Sequence, residues 1–376
     1  MDRERWLAIK PWLEKAFELD TVARRVWLSE LALTSRDVAH DIEQLLALET
    51  SDNDDLLDEA LMIHLPEPAT GWAGRVMGAY RLDRPIGRGG MGSVWLAHLA
   101  HEGTSKPVAL KVLNRALLGR SGRRRFEREA SLLAQLQHPN IARLLDTGVT
   151  DEGQPFLVLE YIEGTCIDEF VNRERYTPRR RIALFLEVVA AVAHAHANHI
   201  IHRDIKPPNI LVRNDGVPKL LDFGIAKLLA DGRDLADLSS LSRESGYALT
   251  PRFASPEQMR GEPVSIATDI YALGVLLYLI LSGRHPTNAG CKTAAAQIRA
   301  VIDVVPVPLS EAVAEPHSDD SLDIPSLYGT SVDDLRRFYR GKLDAIAARM
   351  LAKATHERYR TLADVTADFN CLGLRL

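Results

Sequence analysis

Three glycines at positions 87, 89 and 92 stand in the segment PIGRGGMGSVW (85–95) at the spacing G-x-G-x-x-G. Glycine lets a backbone approach a ligand closely, and this spacing usually places backbone amides around a phosphate group. The same spacing opens dinucleotide-binding folds and also covers the phosphates of ATP. The glycines Gly87, Gly89 and Gly92 therefore predict phosphate binding but leave the ligand open.

The residues that follow the glycines decide between these two ligands. A dinucleotide-binding fold needs a helix that begins at the glycines and an acidic residue about 20 positions later. Ser93, Val94 and Trp95 instead favour a strand, and the stretch ALKVLNRA around position 112 contains no acid. We therefore expect a strand-turn-strand flap over a nucleotide.

Lys111 ends the segment VALK (108–111) and is the next candidate. In an alternating strand Val108 and Leu110 lie on one face, while Ala109 and Lys111 lie on the other. A small residue would then contact a flat base and an ammonium group would reach phosphates. A single strand lysine is more often a solvated charge, so this interpretation depends on further motifs.

Further motifs follow in order: HRDIKPPNIL (202–211), DFG (222–224) and ASPE (254–257). Together with GRGGMG and VALK they resemble the bacterial eukaryotic-like (Hanks-type) serine/threonine protein kinases over about residues 80–370. The resemblance implies an α+β, bilobal protein kinase fold with a β-rich N-lobe containing one helix and a helical C-lobe. It also implies transfer of the γ-phosphoryl group of Mg-ATP to protein Ser/Thr hydroxyls, those of the chain itself included.

The resemblance implies catalytic roles for Asp204, Lys206, Lys111 and Glu129 and metal-binding roles for Asn209 and Asp222. Asp204 would accept or orient the proton of the attacking hydroxyl, and Lys206 would approach the γ-phosphate. Asn209 and Asp222 would hold Mg²⁺, with Mn²⁺ as the alternative metal.

The resemblance also implies a partner for Lys111. In this family a glutamate on a helix holds the strand lysine, and RFEREASLLAQL places Glu129 at the matching position. Glu127 is the competing residue, and it lies on another face of the helix.

The nucleotide pocket follows from the same comparison. Val94 and Ala109 would lie above the adenine and Leu211 below it, with backbone groups of residues 160–162 as hydrogen-bond partners and Leu159 at the back as gatekeeper. The full set of predicted ATP-binding residues is Ile86, Gly87, Gly89, Gly92, Val94, Ala109, Lys111, Leu159, Glu160, Ile162 and Leu211.

The segment from Asp222 to Glu257 corresponds to the activation segment. Arg203 is of the type that binds a phosphate on this segment, and several serines, Tyr247 and Thr250 are available hydroxyls. Thr250 is expected in the substrate-docking loop. The residues expected to regulate or brace the segment are Arg203, Phe223, Gly224, Thr250, Glu257 with its ion-pair partner Arg358, and Asp269 behind the HRD loop.

Other functions compete with that of an active kinase. A pseudokinase scaffold would lack Lys111, Asp204 or Asp222, and all three are present. A small-molecule phosphotransferase normally lacks the ASPE segment and the D-x-x-x-x-G helix (269–274). Four histidines at 194, 196, 199 and 202 offer a metal site as a minor alternative, although this family places the HRD histidine in the core near Phe223.

The elements that must position these residues form three regions. Helical periodicity predicts an acidic helical module over 1–65, and Pro and Gly residues mark a linker over 66–78. The resemblance implies a kinase domain over 79–372, with the N-lobe at about 79–160 and the C-lobe at about 163–372. Within the domain we expect a helix near 121–137, a buried helix at 270–283 and a long surface excursion over about 287–330.

Charge and composition limit the partners. Residues 1–75 contain 8 Lys or Arg against 16 Asp or Glu, whereas the whole chain has a net charge of −5, so the remainder is close to neutral. This distribution argues against nucleic-acid binding and suggests a protein partner or a regulatory role for the acidic module.

The cysteines and the apolar segments bear on location. Three dispersed cysteines suggest neither a disulfide framework nor a zinc site, and no segment is long and apolar enough to span a bilayer of about 30 Å. We expect a cytoplasmic protein, with membrane attachment only if the chain is a fragment of a longer one.

Overall fold

The computed structural model describes residues 72–89, 92–101, 106–113, 122–150, 152–223, 251–287, 294–314 and 327–372, together with seven single positions before residue 72. Gly224, Tyr247, Thr250 and the candidate phosphorylation sites Ser239, Ser240, Ser242 and Ser245 lie outside these residues. The chain divides into two compact units, and the larger comprises Trp72–Leu238 and Ala248–Leu376.

One antiparallel sheet forms the N-lobe. Its strands are β1 (Val76–Met77), β2 (Tyr80–Gly89), β3 (Gly92–Leu99), β4 (Val108–Leu113), β5 (Leu144–Val149) and β6 (Pro155–Glu160), in the spatial order β1-β2-β3-β4-β6-β5. The β2–β3 hairpin closes where Gly89 pairs with Gly92, which confirms the predicted strand-turn-strand flap.

One helix, α1 (Gly122–Ala134), accompanies this sheet. Phe126 and Ala130 are buried, whereas Glu127 and Arg128 are exposed, so the helix has the one-sided apolar pattern that the sequence predicted.

The C-lobe is helical around a small second sheet. Its helices are α2 (Ile167–Arg173), α3 (Pro178–Ala197), α4 (Pro256–Arg260), α5 (Ile266–Ser282), α6 (Ala294–Asp303), α7 (Leu309–Ala312), α8 (Val332–Tyr339), α9 (Lys342–Met350) and α10 (Leu362–Asn370). The sheet consists of β7 (Gly164–Cys166), β8 (Ile210–Arg213) and β9 (Pro218–Leu220), in the order β7-β8-β9.

Helix α5 forms the centre of the lobe, as the apolar run at 270–283 predicted. Ser265 caps its start by accepting a hydrogen bond from the Ala267 N–H, and Gly283, with φ of 70°, ends it. Nearly every residue between them is buried. Gly274 lets α9 approach, because a Cβ there would lie 2.9 Å from the Cβ of Met350. Among the described helices, none is both long and apolar enough to cross a membrane.

The expectation of a surface excursion over about 287–330 was wrong for its described part. Residues 294–303 and 309–312 form α6 and α7, and Val301, Leu309 and Ala312 are at most 2% exposed. Pro, Ser and Asp in the composition suggested a loop, but a periodic apolar set within it packs these short helices on α5 and its neighbours. Burial of that set outweighs the loop-like composition.

The smaller unit is described only at single positions. Trp12, Trp27, Leu28 and Leu31 are helical, the indole rings of Trp12 and Trp27 stack with centroids 6.4 Å apart, and Leu28 and Leu31 are buried. The remainder of the predicted module over 1–65 lies outside the described residues.

Candidate active site

The cleft between the lobes brings the strand lysine to the DFG aspartate. Register places Lys111 of β4 opposite Val94 of β3 and Leu157 of β6, in the middle of the sheet. From there the Lys111 ammonium contacts the Asp222 carboxylate of the C-lobe. The Asp222 side chain is 28% exposed, so this acid also faces the open cleft. The Lys111 ammonium, which suits a phosphate, and the Asp222 carboxylate, which suits a metal ion, thus lie side by side in the cleft.

Glu129 does not share this contact. Among the described ion pairs, the partner of Lys111 is Asp222, and none joins Lys111 to Glu129. Glu129 lies on α1, partly buried, in the turn before Leu133. Leu133 of α1, Leu159, Asp222 and Phe223 are among the residues that line a small, mainly apolar cavity. The Lys111–Glu129 ion pair that the family resemblance implies is therefore not formed in this arrangement of α1.

The third glycine of the flap is required by its backbone surroundings. Gly92 has φ of 147°, and a Cβ there would lie 1.9 Å from the carbonyl oxygen of Val112. At Gly87 a Cβ would make only an ordinary contact of 3.7 Å with Val94. Gly92 thus lets the start of β3 approach the backbone of β4 closely.

The residues predicted around the adenine lie on both lobes. Ala109 and Ile162 are buried, while Val94, Leu159 and Leu211 are partly buried. Ala109 is paired with Leu159 in the N-lobe sheet, and Leu211 is paired with Cys166 in the small C-lobe sheet. Ile86 is 37% exposed at the edge of the flap.

The Glu160 side chain forms hydrogen bonds with other parts of the protein. Its carboxylate accepts hydrogen bonds from the Lys219 ammonium at 3.2 Å and from the Arg143 N–H at 3.3 Å. Because Lys219 belongs to β9 of the C-lobe, this pair ties the end of β6 to that lobe. The Glu160 N–H also donates to the Arg143 carbonyl at 2.9 Å, so both this N–H and the carboxylate are used within the protein.

The catalytic loop orients Asp204 from two sides. The Asn209 amide nitrogen donates to the Asp204 carbonyl at 2.7 Å and to its carboxylate at 3.0 Å. The Lys206 ammonium lies 3.3 Å from the same carboxylate. The Asp204 side chain remains 22% exposed, so it is held in one orientation yet open to a substrate.

A buried carboxylate holds the loop from behind. Asp269, at the start of α5, is 0% exposed and accepts the N–H groups of His202 and Arg203, each at 2.8 Å. The His196 imidazole donates to it as well, at 2.8 Å. Arg203 has φ of 67°, an uncommon backbone conformation for a residue other than glycine. This conformation turns two successive N–H groups toward one carboxylate, so local backbone strain is offset by charge-assisted hydrogen bonds.

His202 connects the catalytic loop to the DFG segment. Its Nε2–H donates to the Leu221 carbonyl at 2.8 Å, and its Nδ1 accepts the Asp204 N–H at 3.3 Å. Its ring packs on Phe223, with centroids 4.7 Å apart. Complete burial lowers the pKa of His202, against the raising effect of Asp269, so the ring is neutral. His196 and His202 thus serve separate hydrogen bonds and do not share a metal site.

A buried ion pair holds helix α4, at the end of the predicted activation segment, to the C-terminal part of the C-lobe. The Arg358 guanidinium binds the Glu257 carboxylate through two hydrogen bonds of 2.8 and 2.9 Å, and both residues are 2% exposed. Thr268 donates to the same carboxylate at 2.9 Å. Burial raises the pKa of Glu257, but the hydrogen bonds and charge of Arg358 outweigh burial, so the net shift is downward.

Three residues of this framework were missed in the sequence. They are His196, which supports Asp269; Gln258, whose amide donates to the Arg203 carbonyl at 3.1 Å; and Thr268, which supports Glu257. His196 was grouped with its neighbours as a weak metal candidate. These residues reach their partners only through tertiary contacts, which the spacing of residues along the chain does not reveal.

The donor set fits a nucleotide and a divalent cation. Because Asn209 uses its amide nitrogen on Asp204, its amide oxygen is available as a ligand, and the Asp222 carboxylate is a second hard oxygen donor. Mg²⁺ prefers one or two such protein ligands together with phosphate oxygens. The apolar pocket and the glycine flap are suited to a base and to phosphates.

Comparison with known proteins agrees with this geometry. Residues 80–367 match the family described as protein kinase domain. The serine/threonine-protein kinase PknB of Mycolicibacterium smegmatis is 34% identical over 77% of this chain and 42% of its own length. PknB of Mycobacterium tuberculosis is 35% identical over the same shares. The chain therefore spans about two fifths of the length of these relatives.

A solved structure is similar over the same region. The crystal structure of the Mycobacterium tuberculosis PknI kinase domain has a TM-score of 0.54 and 25% sequence identity. The match covers 80% of this chain and 98% of that one. The common part is the two-lobed unit built around the cleft described above.

Proposed function

Since the chain belongs to the protein kinase domain family, we propose that its active site transfers the γ-phosphoryl group of ATP to serine and threonine hydroxyls of proteins, its own included. The observation that carries this proposal is the convergence of Lys111, Asp204, Asn209 and Asp222 on one cleft. Phosphoryl transfer requires positioning and charge neutralisation more than covalent chemistry, and these four groups provide both.

Each residue has a distinct task in this proposal. Asp204, fixed by Asn209 and near Lys206, orients the substrate hydroxyl and accepts its proton. Lys206 stabilises negative charge on the transferred group, and Lys111 binds the phosphates beneath the glycine flap. Mg-ATP supplies the transferable group, with the metal neutralising phosphate charge. Glu129 is proposed to support Lys111 when α1 lies closer to the cleft.

We propose Mg²⁺ as the metal, held by Asn209 and Asp222. The family implies a divalent cation, and the two oxygen ligands are hard donors that suit Mg²⁺. Mn²⁺ accepts similar ligands, so a comparison of activity at equal free concentrations of the two ions tests this preference.

A pseudokinase scaffold is not favoured. Loss of Lys111, Asp204 or Asp222 would be its signature, and these residues are present, oriented and partly open to the cleft. The relatives with serine/threonine-protein kinase in their names support the active interpretation.

Phosphoamino acid analysis tests the proposed reaction. Purified protein is incubated with Mg²⁺ and γ-labelled ATP, with and without a mixture of protein substrates, and the labelled products are hydrolysed to amino acids. Label in phosphoserine or phosphothreonine is expected. Label in phosphotyrosine alone, or in small molecules alone, would contradict the proposal.

For the acidic module over 1–65 we propose a partner-binding or regulatory role. Its excess of acidic residues and the packed Trp12, Trp27, Leu28 and Leu31 support this role. A chain that starts at Trp72, where the larger unit begins, provides the comparison. Equal kinase activity and equal protein binding by the short and full chains would refute it.

We also propose a cytoplasmic location. The described cysteines, Cys166 and Cys371, are free thiols, as suits a reducing compartment, and ATP is an intracellular substrate. Fractionation of cells that produce the native protein tests this proposal, and recovery in the membrane fraction would contradict it.

A further inference from the structure

His285 joins two segments that are distant along the chain. It lies in the loop after α5, and its Nε2–H donates to the carbonyl oxygen of Arg252 in the 3-10 turn Pro251–Phe253. Its other ring nitrogen, Nδ1, accepts the Thr287 N–H at 3.3 Å. Both ring nitrogens are therefore used, one on the 3-10 turn and one on the loop of His285 itself.

The surroundings keep this imidazole in a single form. Its ring meets the Phe253 ring edge to face, with centroids 5.8 Å apart, and Phe253 packs against the C-lobe core. Burial lowers the pKa of His285 to about 4, and the nearby cations Arg252 and Lys353 act in the same direction. At neutral pH the ring is thus uncharged, with its proton on Nε2 facing Arg252.

The segment that His285 contacts is fastened at three successive points. At its far end, Glu257 binds Arg358, and Gln258 donates to the carbonyl of Arg203 in the catalytic loop at 3.1 Å. The contact to Arg252 comes first along the chain. The predicted substrate-docking residue Thr250 lies two positions before it. Of these fastenings, that of His285 is nearest in sequence to where a protein substrate would dock.

We propose that His285 is a positioning residue for the protein substrate: its imidazole holds the backbone at Arg252 and so sets residues 251–255, which directly follow the predicted docking residue Thr250, relative to Asp204. This inference rests on the proposed kinase function. Among the described residues, the hydrogen bonds and ring contact of His285 reach Arg252, Thr287 and Phe253 and none of the nucleotide-pocket or catalytic-loop residues. Its loss should therefore affect use of a protein or peptide substrate while leaving use of ATP intact.

Two substitutions separate the hydrogen bond from the bulk of the ring. His285→Leu keeps an apolar side chain beside Phe253 but removes the donor, whereas His285→Gln keeps an amide N–H that reaches Arg252. His101→Leu, at an exposed turn after β3, is the matched control. The substrates are ATP and a synthetic threonine peptide that the wild-type chain phosphorylates.

The kinetic constants show which substrate is affected. For His285→Leu we expect kcat/KM for the peptide to fall about tenfold, the loss that one hydrogen bond of about 1.4 kcal/mol would give, with KM for ATP unchanged. His285→Gln should recover most of this loss, and His101→Leu should match wild type. An unchanged peptide kcat/KM in the Leu variant, an equal rise in KM for ATP, or equal losses in the Leu and Gln variants would overturn the inference.

Amide hydrogen exchange tests the hold on the loop without any catalytic readout. We expect faster exchange over residues 252–255 in the Leu variant and a rate near wild type in the Gln variant. Unchanged exchange in the Leu variant would overturn the inference even if the chain had no kinase activity. A wild-type chain that transfers no phosphate, yet shows the expected exchange pattern, would instead refute the proposed function and the docking role that depends on it.

Discussion

The Lys111 ammonium contacts the Asp222 carboxylate across the cleft, so the N-lobe strand and the DFG segment are joined by an ion pair. The proposed function gives these two groups different ligands, phosphate for the lysine and a metal ion for the aspartate. Bound Mg-ATP would replace their direct contact with contacts to the ligand. The positive φ of Asp222, 54°, places a further uncommon backbone conformation at this point of the site.

The first prediction concerns Glu129, which forms no described ion pair with Lys111 although the family resemblance implies one. If α1 moves toward the cleft during turnover, Glu129→Gln should lower kcat at least tenfold by removing the anion that holds Lys111 over the phosphates. The neighbouring Glu127→Gln is the control and should stay near the wild-type rate. Steady-state measurement of kcat for both variants tests this prediction. Equal kcat values for the two would exclude a catalytic role for Glu129.

The glycine flap gives a prediction about stability. Gly92→Ala should cost more than about 1 kcal/mol in the free energy of unfolding, because its Cβ would meet the carbonyl oxygen of Val112. Gly87→Ala should cost less, because its Cβ makes only an ordinary contact with Val94. Denaturant unfolding of both variants compares them. Equal costs would show that the β2–β3 hairpin adjusts freely at Gly92.

Asp269 should couple stability to catalysis. Asp269→Asn places an amide group at a completely buried position against the N–H groups of His202 and Arg203, which should lower the free energy of unfolding by about 1–3 kcal/mol. It should also lower kcat, because Asp204 follows the two residues that Asp269 holds. Denaturant titration and kcat are the measurements. Asp215→Asn, at an exposed ion pair with Arg213, should change neither.

Glu257 gives a prediction about pH. Its folded-state pKa lies below the ordinary value of 4.5, so its stabilising contribution is complete above the unfolded-state pKa and is lost as pH falls through the folded-state value. Glu257→Gln leaves the Arg358 charge buried and should cost about 3–5 kcal/mol at neutral pH.

The same titration distinguishes this ion pair from a general effect of acid. The difference in unfolding free energy between wild type and Glu257→Gln should shrink as pH falls below about 4.5, which is close to the ordinary pKa of glutamate. Glu262→Gln, at an exposed residue 4.0 Å from Arg260, should show no such difference. A pH-independent difference for Glu257→Gln would mean that the charge of the glutamate is not what stabilises the segment.

Motif residues were predictable because their chemistry depends on type and spacing along a short segment. The hairpin over Gly87–Gly92 and the cluster of Asp204, Asn209 and Asp222 follow from such local patterns, and the fold that they imply is the one observed. The buried helix at 270–283 was equally clear from its continuous apolar run.

Contacts between distant segments were harder to predict. His196 reaches Asp269, Gln258 reaches Arg203 and His285 reaches Arg252, each across a long stretch of chain. Such pairings depend on how the helices pack, so the spacing of residues within a short segment does not predict them. The partner of Lys111 depends on the position of α1, which the sequence pattern of that helix does not determine. The packed helices α6 and α7 were missed because composition suggested a loop.

The measurement that tests the central claim most directly compares phosphoryl transfer by wild type, Asp204→Asn and Asp215→Asn in the presence of Mg²⁺ and γ-labelled ATP. Asparagine keeps the shape of Asp204 but cannot accept a proton, so transfer to Ser/Thr should fall at least about 100-fold. Asp215→Asn should transfer as wild type does, and all three proteins should unfold at similar denaturant concentrations. Equal labelling by wild type and Asp204→Asn would contradict the account.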